Sequence, residues 1–174
     1  KLKNFPKQRN VFIPILFGIT LAKILHSMGY IYSIENLESS GKEIAIGLVR
    51  FIVLLIAGRV IPFFTRKKIE GIEINLPSWI NPWALAPIAL LVIPWPDSTP
   101  KFLLVIIYLF AITGNISRQL LWKPMKSIGV PILFILQIGI LFVNIGLILE
   151  LLSLYFDQIN FSQASLHMFV AGGL

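Results

Sequence analysis

Long apolar segments constrain this chain more than any other feature of its sequence. A helix needs about 20 mostly apolar residues to cross the hydrocarbon core of a bilayer, and such segments follow one another here. They predict spans at about 11–33, 44–65, 79–96, 101–118 and 128–152, and a sixth, incomplete span at 162–174. The predicted fold class is therefore all-α: a polytopic transmembrane helix bundle of about five to six spans. We expect residues 1–174 to form a single transmembrane domain that is part of a larger bundle.

Composition supports a membrane protein and excludes several other classes. The chain is 56% hydrophobic and only 13% charged, whereas soluble domains are about 25% charged. It has no cysteine, which excludes disulfides, thiolate metal sites and cysteine nucleophiles. No phosphate-binding loop, GxSxG or HExxH motif occurs, so we assign no catalytic residue and favour a non-enzymatic protein.

The positive charge of the chain follows membrane topology. A net charge of +7 would suggest nucleic acid in a soluble protein, but these cations flank apolar segments, so no nucleic-acid partner is expected. Ten basic residues lie on one side: Lys1, Lys3, Lys7, Arg9, Arg66, Lys67, Lys68, Arg118, Lys123 and Lys126. Only Lys42 and Lys101 lie on the other. The positive-inside rule makes the richer side, with the N-terminus, cytoplasmic.

Three basic residues, Lys23, Arg50 and Arg59, fall inside predicted spans, where ionisable groups are rare and usually face protein or water. Arg50 and Arg59 are nine residues apart, so at 100° per residue they point to opposite sides of one helix. Arg59 lies near the cytoplasmic end, where it can snorkel to the interface. Arg50 either pairs with Glu43 or Glu150 or faces a buried anion.

Both histidines fall in the outer leaflet according to helical rise. His26, Arg50 and His167 are predicted to share one level there. Lys23, His26 and Tyr30 make a polar stripe on the first helix, with Lys23 snorkelling or interhelical. Each histidine is either a metal ligand through neutral imidazole nitrogen or a hydrogen-bonded packing residue.

The fifth span carries two pairs of residues that are seven apart. Gln137 and Asn144 suit hydrogen bonds between helices, while Gly139 and Gly146 suit close helix packing. The polar pair is more often a structural contact than a binding site.

Four segments of the chain, quoted in order, resemble one known family. GRVIPFFTRKK (58–68) is similar to a GR-[IV]-IP-x-FT-R block of the NnrS family. RNVFIPILFGITLAKILHSMG (9–29), KPMKSIGVPILFILQIGILFVNIGLIL (123–149) and ASLHMFVAGGL (164–174) resemble three further segments of that family. The resemblance covers essentially the whole chain, and the first block is its most specific part.

The resemblance implies a bacterial polytopic membrane protein of the cytoplasmic (inner) membrane, associated with the response to nitric oxide (nitrosative stress) and containing haem and copper. It implies His26 and His167 as metal ligands, and Arg59 lies in its GRVIP block. The candidate cofactor-binding residues are Arg50 and Arg59, and Arg50, from its predicted depth, would offset a haem propionate or other buried anionic charge. Gln137 stands where the family usually has a histidine, and Lys23 or Ala22 stands where an asparagine is usual. The family's His-rich N-terminal and HTGR-like C-terminal motifs do not occur, so we expect either an interior portion of the family protein, which is favoured, or a shortened relative that has lost those sites.

Two other functions fit the same residues. The chain could be a non-enzymatic structural subunit of a larger membrane complex, with its polar stripes buried against other membrane subunits. It could instead be part of a secondary transporter, which predicts a cavity near Lys23 and Gln137. In each case the lipid bilayer is the first partner.

Overall fold

The computed structural model describes residues 6–96, 98–156 and 161–173, and throughout these residues the ordered elements are helices. Six α-helices occur in this part of the chain, with a short 3-10 helix at Pro124–Ser127 before the fifth. Their bounds are α1 Pro6–Tyr32, α2 Glu35–Lys68, α3 Ile80–Leu90, α4 Lys101–Leu121, α5 Pro131–Ser153 and α6 Phe161–Gly173. The predicted all-α helical bundle is confirmed.

Four of these helices, α1, α2, α4 and α5, are long and apolar enough to cross a membrane, as judged over the described residues. The third helix is shorter than the predicted span at 79–96. Its 11 residues rise about 16 Å, roughly half the thickness of the hydrocarbon core. Pro94 and Pro96 follow, and because proline disfavours helix at the preceding residue, the helix ends before them.

The second helix begins nearer the N-terminus than hydropathy predicts, at Glu35 rather than near residue 44. Ser33 takes a left-handed conformation with φ of 55°, and the Ile34 backbone N–H donates to the carbonyl of Gly29 at 2.8 Å. This tight turn ends α1 and starts α2 almost at once. The carboxylates of Glu35 and Glu38 lie in the first turn of α2, where negative charge is favourable.

The helices pack in neighbouring pairs. The first lies along the second, the third along the fourth and the fifth against the sixth, while α2 also contacts α3 and α5, and α4 contacts α5. The buried core lies where these elements meet and includes Leu54, Ile61, Ala111, Ile140 and Leu147. This arrangement places polar residues of α2, α4, α5 and α6 inside the bundle.

Small residues set how closely α5 and α6 approach. A Cβ at Gly139 would lie 2.8 Å from the carbonyl oxygen of Gly172, and one at Gly146 would lie 3.3 Å from that of Ser165. The close packing predicted for Gly139 and Gly146 is therefore confirmed.

The outside of the bundle is strongly apolar. Large hydrophobic side chains stand exposed on separate helices, among them Phe17 at 70%, Phe102 at 65% and Ile135 at 67%. Apolar surface spread over several helices is what a lipid-facing protein presents. The protein is therefore a membrane protein by its exterior as well as by its helix lengths.

Candidate functional site

An ion pair between Arg50 and Glu150 lies in the interior of the bundle. Arg50 is 5% exposed and donates Nη1 to Glu150 Oε2 at 2.6 Å and Nη2 to Oε1 at 2.5 Å. Two parallel charge-assisted hydrogen bonds of this kind fix orientation as well as charge. The pair joins α2 to α5.

Two hydroxyl groups complete the surroundings of this carboxylate. Ser165 Oγ on α6 donates to Glu150 Oε1 at 2.8 Å, and the Tyr108 hydroxyl on α4 donates to Oε2 at 3.3 Å. The Arg50 guanidinium also lies 5.3 Å from the centre of the Phe169 ring, within cation–π range. We call these five residues the Arg50 cluster, and it connects four helices.

The sequence left open whether Arg50 forms an ion pair or faces a buried anion, and the cluster shows an ion pair. Arg50 forms this ion pair with Glu150, which is a partner that the structure shows. Both terminal nitrogens are engaged by that carboxylate. Contact between Arg50 and a cofactor stays a prediction.

His26 is held by the backbone of the neighbouring helix. Its Nδ1 lies 3.1 Å from the carbonyl oxygen of Glu38. A carbonyl can only accept, so Nδ1 carries the proton and, in neutral imidazole, Nε2 carries the free lone pair. Helix α1 comes this close because Gly41 lacks a side chain: a Cβ there would lie 2.5 Å from the His26 backbone nitrogen.

His167 has a different environment. It is exposed on α6, whereas Ser165 and Phe169, two residues to either side, are buried. Two residues correspond to 200° around a helix, so the histidine points away from the Arg50 cluster. In the described ranges no group of three or more His, Cys, Asp or Glu residues could hold a metal ion.

The expectation that His26 shares a level with Arg50 is wrong. His26 packs beside Glu38 and Gly41, and Gly41 precedes Arg50 by nine residues of α2, or about 14 Å. The error follows from the early start of α2, which shifts the register of α1 against it. His167 does lie near the level of Arg50, because the neighbouring Phe169 contacts that guanidinium.

The two arginines of α2 face opposite ways, as the nine-residue spacing predicts: Arg50 is buried and Arg59 is exposed. Arg59 lines a cavity of about 300 Å³ together with Gly58, Asn81 and Arg118. Apolar residues of α2 and α3 form the rest of the wall. This is not the position near Lys23 and Gln137 that a transporter predicts; Lys23 is exposed and Gln137 is buried against α4.

Arg118 differs from its sequence-based prediction. Counted there with a cytoplasmic loop, it belongs to the last turn of α4 and is 1% exposed. Its Nη2 donates to Asn115 Oδ1 at 2.8 Å, and its guanidinium lies 5.1 Å from the centre of the Trp122 ring. Its Nε and Nη1 atoms have no hydrogen-bond partner in the part of the chain that the structure describes.

Gly58 makes room for this buried cation. A Cβ at that position would lie 2.9 Å from Arg118 Nη1 and 3.6 Å from Asn81 Oδ1. The glycine and the arginine of the GRVIP segment therefore have separate structural consequences: Gly58 admits the Arg118 guanidinium, and Arg59 adds a second positive charge at the cavity wall.

A third polar group joins α4 and α5. Gln119 Nε2 donates to the Gln137 carbonyl oxygen at 2.7 Å and to the Gln137 side-chain Oε1 at 3.4 Å. Asn144 Nδ2 donates to Gln119 Oε1 at 3.0 Å. The interhelical hydrogen bonding predicted for Gln137 and Asn144 is confirmed, and Gln119 is the partner that sequence reasoning did not name.

Sequence reasoning also missed Tyr108, Ser165 and Arg118 as members of polar clusters. A signal for Arg118 was present, since Asn115 and Arg118 are three residues apart, on one helix face, directly after an apolar run. For Tyr108 and Ser165 no such signal exists, because single hydroxyls are common in apolar helices. Only tertiary contact identifies them.

Comparison with known proteins identifies the family. The family model described as NnrS protein matches residues 2–174. No curated protein and no solved structure matches. Because the family model spans nearly the entire chain, this protein is a membrane protein that belongs to the NnrS family.

Proposed function

We propose that this protein binds haem, copper or both in the bacterial cytoplasmic membrane and takes part in the response to nitric oxide. The family match and the apolar helices support a membrane protein of the NnrS type. The observation that carries the cofactor proposal is the orientation of His26 by the Glu38 carbonyl.

That orientation is the arrangement found at metal-bound histidines. A ligating imidazole usually donates its second ring N–H to a carbonyl or carboxylate, which fixes the tautomer and raises the basicity of the free nitrogen. In His26 the free nitrogen is Nε2. A single histidine is sufficient as the proximal ligand of a haem, whereas a copper site built by protein alone needs several ligands.

The residues present fit a haem ligated by His26 better than a multi-histidine copper centre, because no three-ligand group occurs in the described residues. When bound, such a metal supplies a coordination position for a diatomic ligand. The contribution of the chain is to hold the His26 ring against α2 and, in neutral imidazole, to leave the free lone pair on Nε2 rather than Nδ1. His167, exposed on α6, is a second candidate ligand and is tested separately, and Arg50 and Arg59 remain candidates for contacts with anionic cofactor groups.

The decisive experiment is spectroscopic. The protein, expressed with haem supply and also reconstituted with haemin in detergent, is expected to show a Soret band and to contain iron. His26→Gly should abolish the band, and added imidazole should restore it by occupying the vacated position. His167→Gly is the matched control for removing an imidazole at the surface.

Three outcomes are informative. A Soret band restored by imidazole only in the His26 variant supports His26 as the ligand. A band lost only in the His167 variant moves the site to α6. A protein that stays colourless and free of iron and copper after reconstitution overturns the cofactor proposal.

A second candidate function, a structural subunit of a larger membrane complex, is favoured by the polar stripe of α1. Lys23 and Tyr30 are both exposed, so these two residues of the stripe are not buried within this chain. This candidate predicts co-purification of a second membrane protein and its loss in Lys23→Leu, with the absorption spectrum unchanged.

A further inference from the structure

Arg118 is a buried charge for which the described residues provide no acidic partner. It is 1% exposed, its only hydrogen bond among the described residues goes to the neutral amide of Asn115, and Nε and Nη1 are unpaired. Buried cations are normally compensated, because removing a charge from water costs several kcal/mol. Arg50, at 5% exposure in the same bundle, shows the usual solution, a bidentate carboxylate.

The unpaired guanidinium is not enclosed by apolar packing alone; it forms part of the cavity described above. The lining of that cavity contains two arginines and no acidic residue. Arg59 is exposed and Arg118 is buried, so positive charge runs from the mouth of the cavity to its inner wall. With a volume of about 300 Å³, the cavity has room for a group of several heavy atoms.

Two uncharged features of the cavity also favour an anion. Asn81 contributes a side-chain amide to the cavity lining. It lies in the first turn of α3, where the helix dipole favours an anion. Gly58 leaves the space through which Arg118 Nη1 reaches this position.

From these observations we infer that the cavity between α2, α3 and α4 is a binding site for a phosphate group. Arg118 supplies positive charge from the inner wall of the cavity, Arg59 neutralises charge at the mouth, and Asn81 lines the α3 side. Guanidinium groups match phosphate geometry well. The site is separate from His26 and does not depend on a bound metal.

The cavity lies toward the basic end of the bundle. Arg59 precedes Arg66, the first residue of the basic end of α2, by seven residues or about 10 Å. The positive-inside rule makes that end cytoplasmic. Two sources of phosphate meet the protein there: the headgroup of an anionic phospholipid, and inorganic phosphate from the cytoplasm.

The test measures thermal unfolding of the delipidated protein in a phosphate-free, neutral maltoside detergent. One arm adds short-chain phosphatidylglycerol, and the other adds inorganic phosphate at constant ionic strength with chloride. A ligand that binds only the folded state raises Tm, and near saturation we expect a shift on the order of 5 °C. A shift only with the lipid identifies the headgroup; a shift in both arms identifies free phosphate as a ligand.

Three variants separate a built site from general charge. Arg118→Lys keeps the charge and loses the planar fork, and should weaken binding about tenfold. Arg59→Gln changes an exposed residue, so it tests the site even if substitution of the buried arginine prevents folding, and it should also weaken binding about tenfold. Arg66→Gln removes one exposed charge from the same side of the protein and should leave binding unchanged.

The inference is overturned if neither phosphate source raises Tm in the wild-type protein. It is also overturned if Arg59→Gln and Arg66→Gln lose affinity equally, because that result assigns the effect to surface charge. Since neither outcome involves the Soret band, failure here is distinguishable from failure of the cofactor proposal.

Discussion

Glu150 binds both terminal nitrogens of Arg50, at 2.5 and 2.6 Å, across 100 residues of chain. One partner belongs to α2 and the other to α5, so this contact joins the N-terminal part of the bundle to its C-terminal part. The Ser165 and Tyr108 hydroxyls donate to the same carboxylate. The charges of the Arg50 cluster are thus internally satisfied.

Glu150→Gln is expected to destabilise the protein by about 3–5 kcal/mol, because it leaves the Arg50 charge buried and unpaired. Ser165→Ala removes one neutral donor to the same carboxylate and should cost about 0.5–1.5 kcal/mol. Thermal and denaturant unfolding in detergent compare the two. If the two variants lose equal stability, the ion pair is not the main stabilising interaction of the cluster.

The double variant Arg50→Met, Glu150→Met gives the complementary result. Replacing both partners of a buried ion pair with apolar residues is often neutral or stabilising. We therefore expect the double variant to be more stable than either single variant. If its loss equals the sum of the single losses, the two residues do not interact energetically.

The hydropathy of the sequence identified the apolar segments, and each apolar segment predicted the position of a helix. It failed where a helix continues into polar sequence. Residues 35–43 contain three glutamates, yet they are helical, because outside the hydrocarbon core a polar helix meets no desolvation penalty. The misplaced level of His26 follows from this boundary alone.

Gly114→Ala and Gly58→Ala should differ in their effect on stability. A Cβ at Gly114 would lie 2.9 Å from the Cα of Ala84 and 3.0 Å from the carbonyl oxygen of Trp83. These are backbone atoms, so α3 must move away from α4, at a cost of about 1–3 kcal/mol. A Cβ at Gly58 meets the end of the Arg118 side chain at 2.9 Å, which can shift.

For both glycine variants we would measure the stability to unfolding in detergent and the affinity for phosphate. Gly58→Ala should retain more stability than Gly114→Ala while displacing the Arg118 guanidinium from its cavity position. The opposite order of stability would show that α2, rather than α3, limits the approach of α4.

Counting basic residues on each side of the membrane placed Arg118 toward the basic end of the bundle, where it lies. The same count assigned it to a loop, whereas it belongs to the last turn of α4. The positive-inside rule uses the side of the membrane on which a cation lies, and it contains no term for burial. The burial of Arg118 depends on Gly58, 60 residues earlier, and on the Trp122 ring. Such a cavity requires the tertiary packing of α2, α3 and α4, which no local pattern encodes.

Gly41→Ala tests how His26 is oriented. A Cβ at Gly41 would lie 2.5 Å from the His26 backbone nitrogen and 2.7 Å from the Ala22 carbonyl oxygen, so α1 must move away from α2. The Nδ1 contact to Glu38 should lengthen, and stability should fall by about 1–3 kcal/mol.

The matched control for this substitution is Gly129→Ala, whose added Cβ meets nothing within 4 Å; we expect a change within about 0.5 kcal/mol. If His26 ligates a haem, its Soret band should weaken or shift in Gly41→Ala and stay unchanged in Gly129→Ala. An unchanged band in a Gly41→Ala protein that is measurably destabilised would show that the Glu38 carbonyl does not orient the ligand. His26 would then act without support from α2, and the cofactor proposal would lose the observation that carries it.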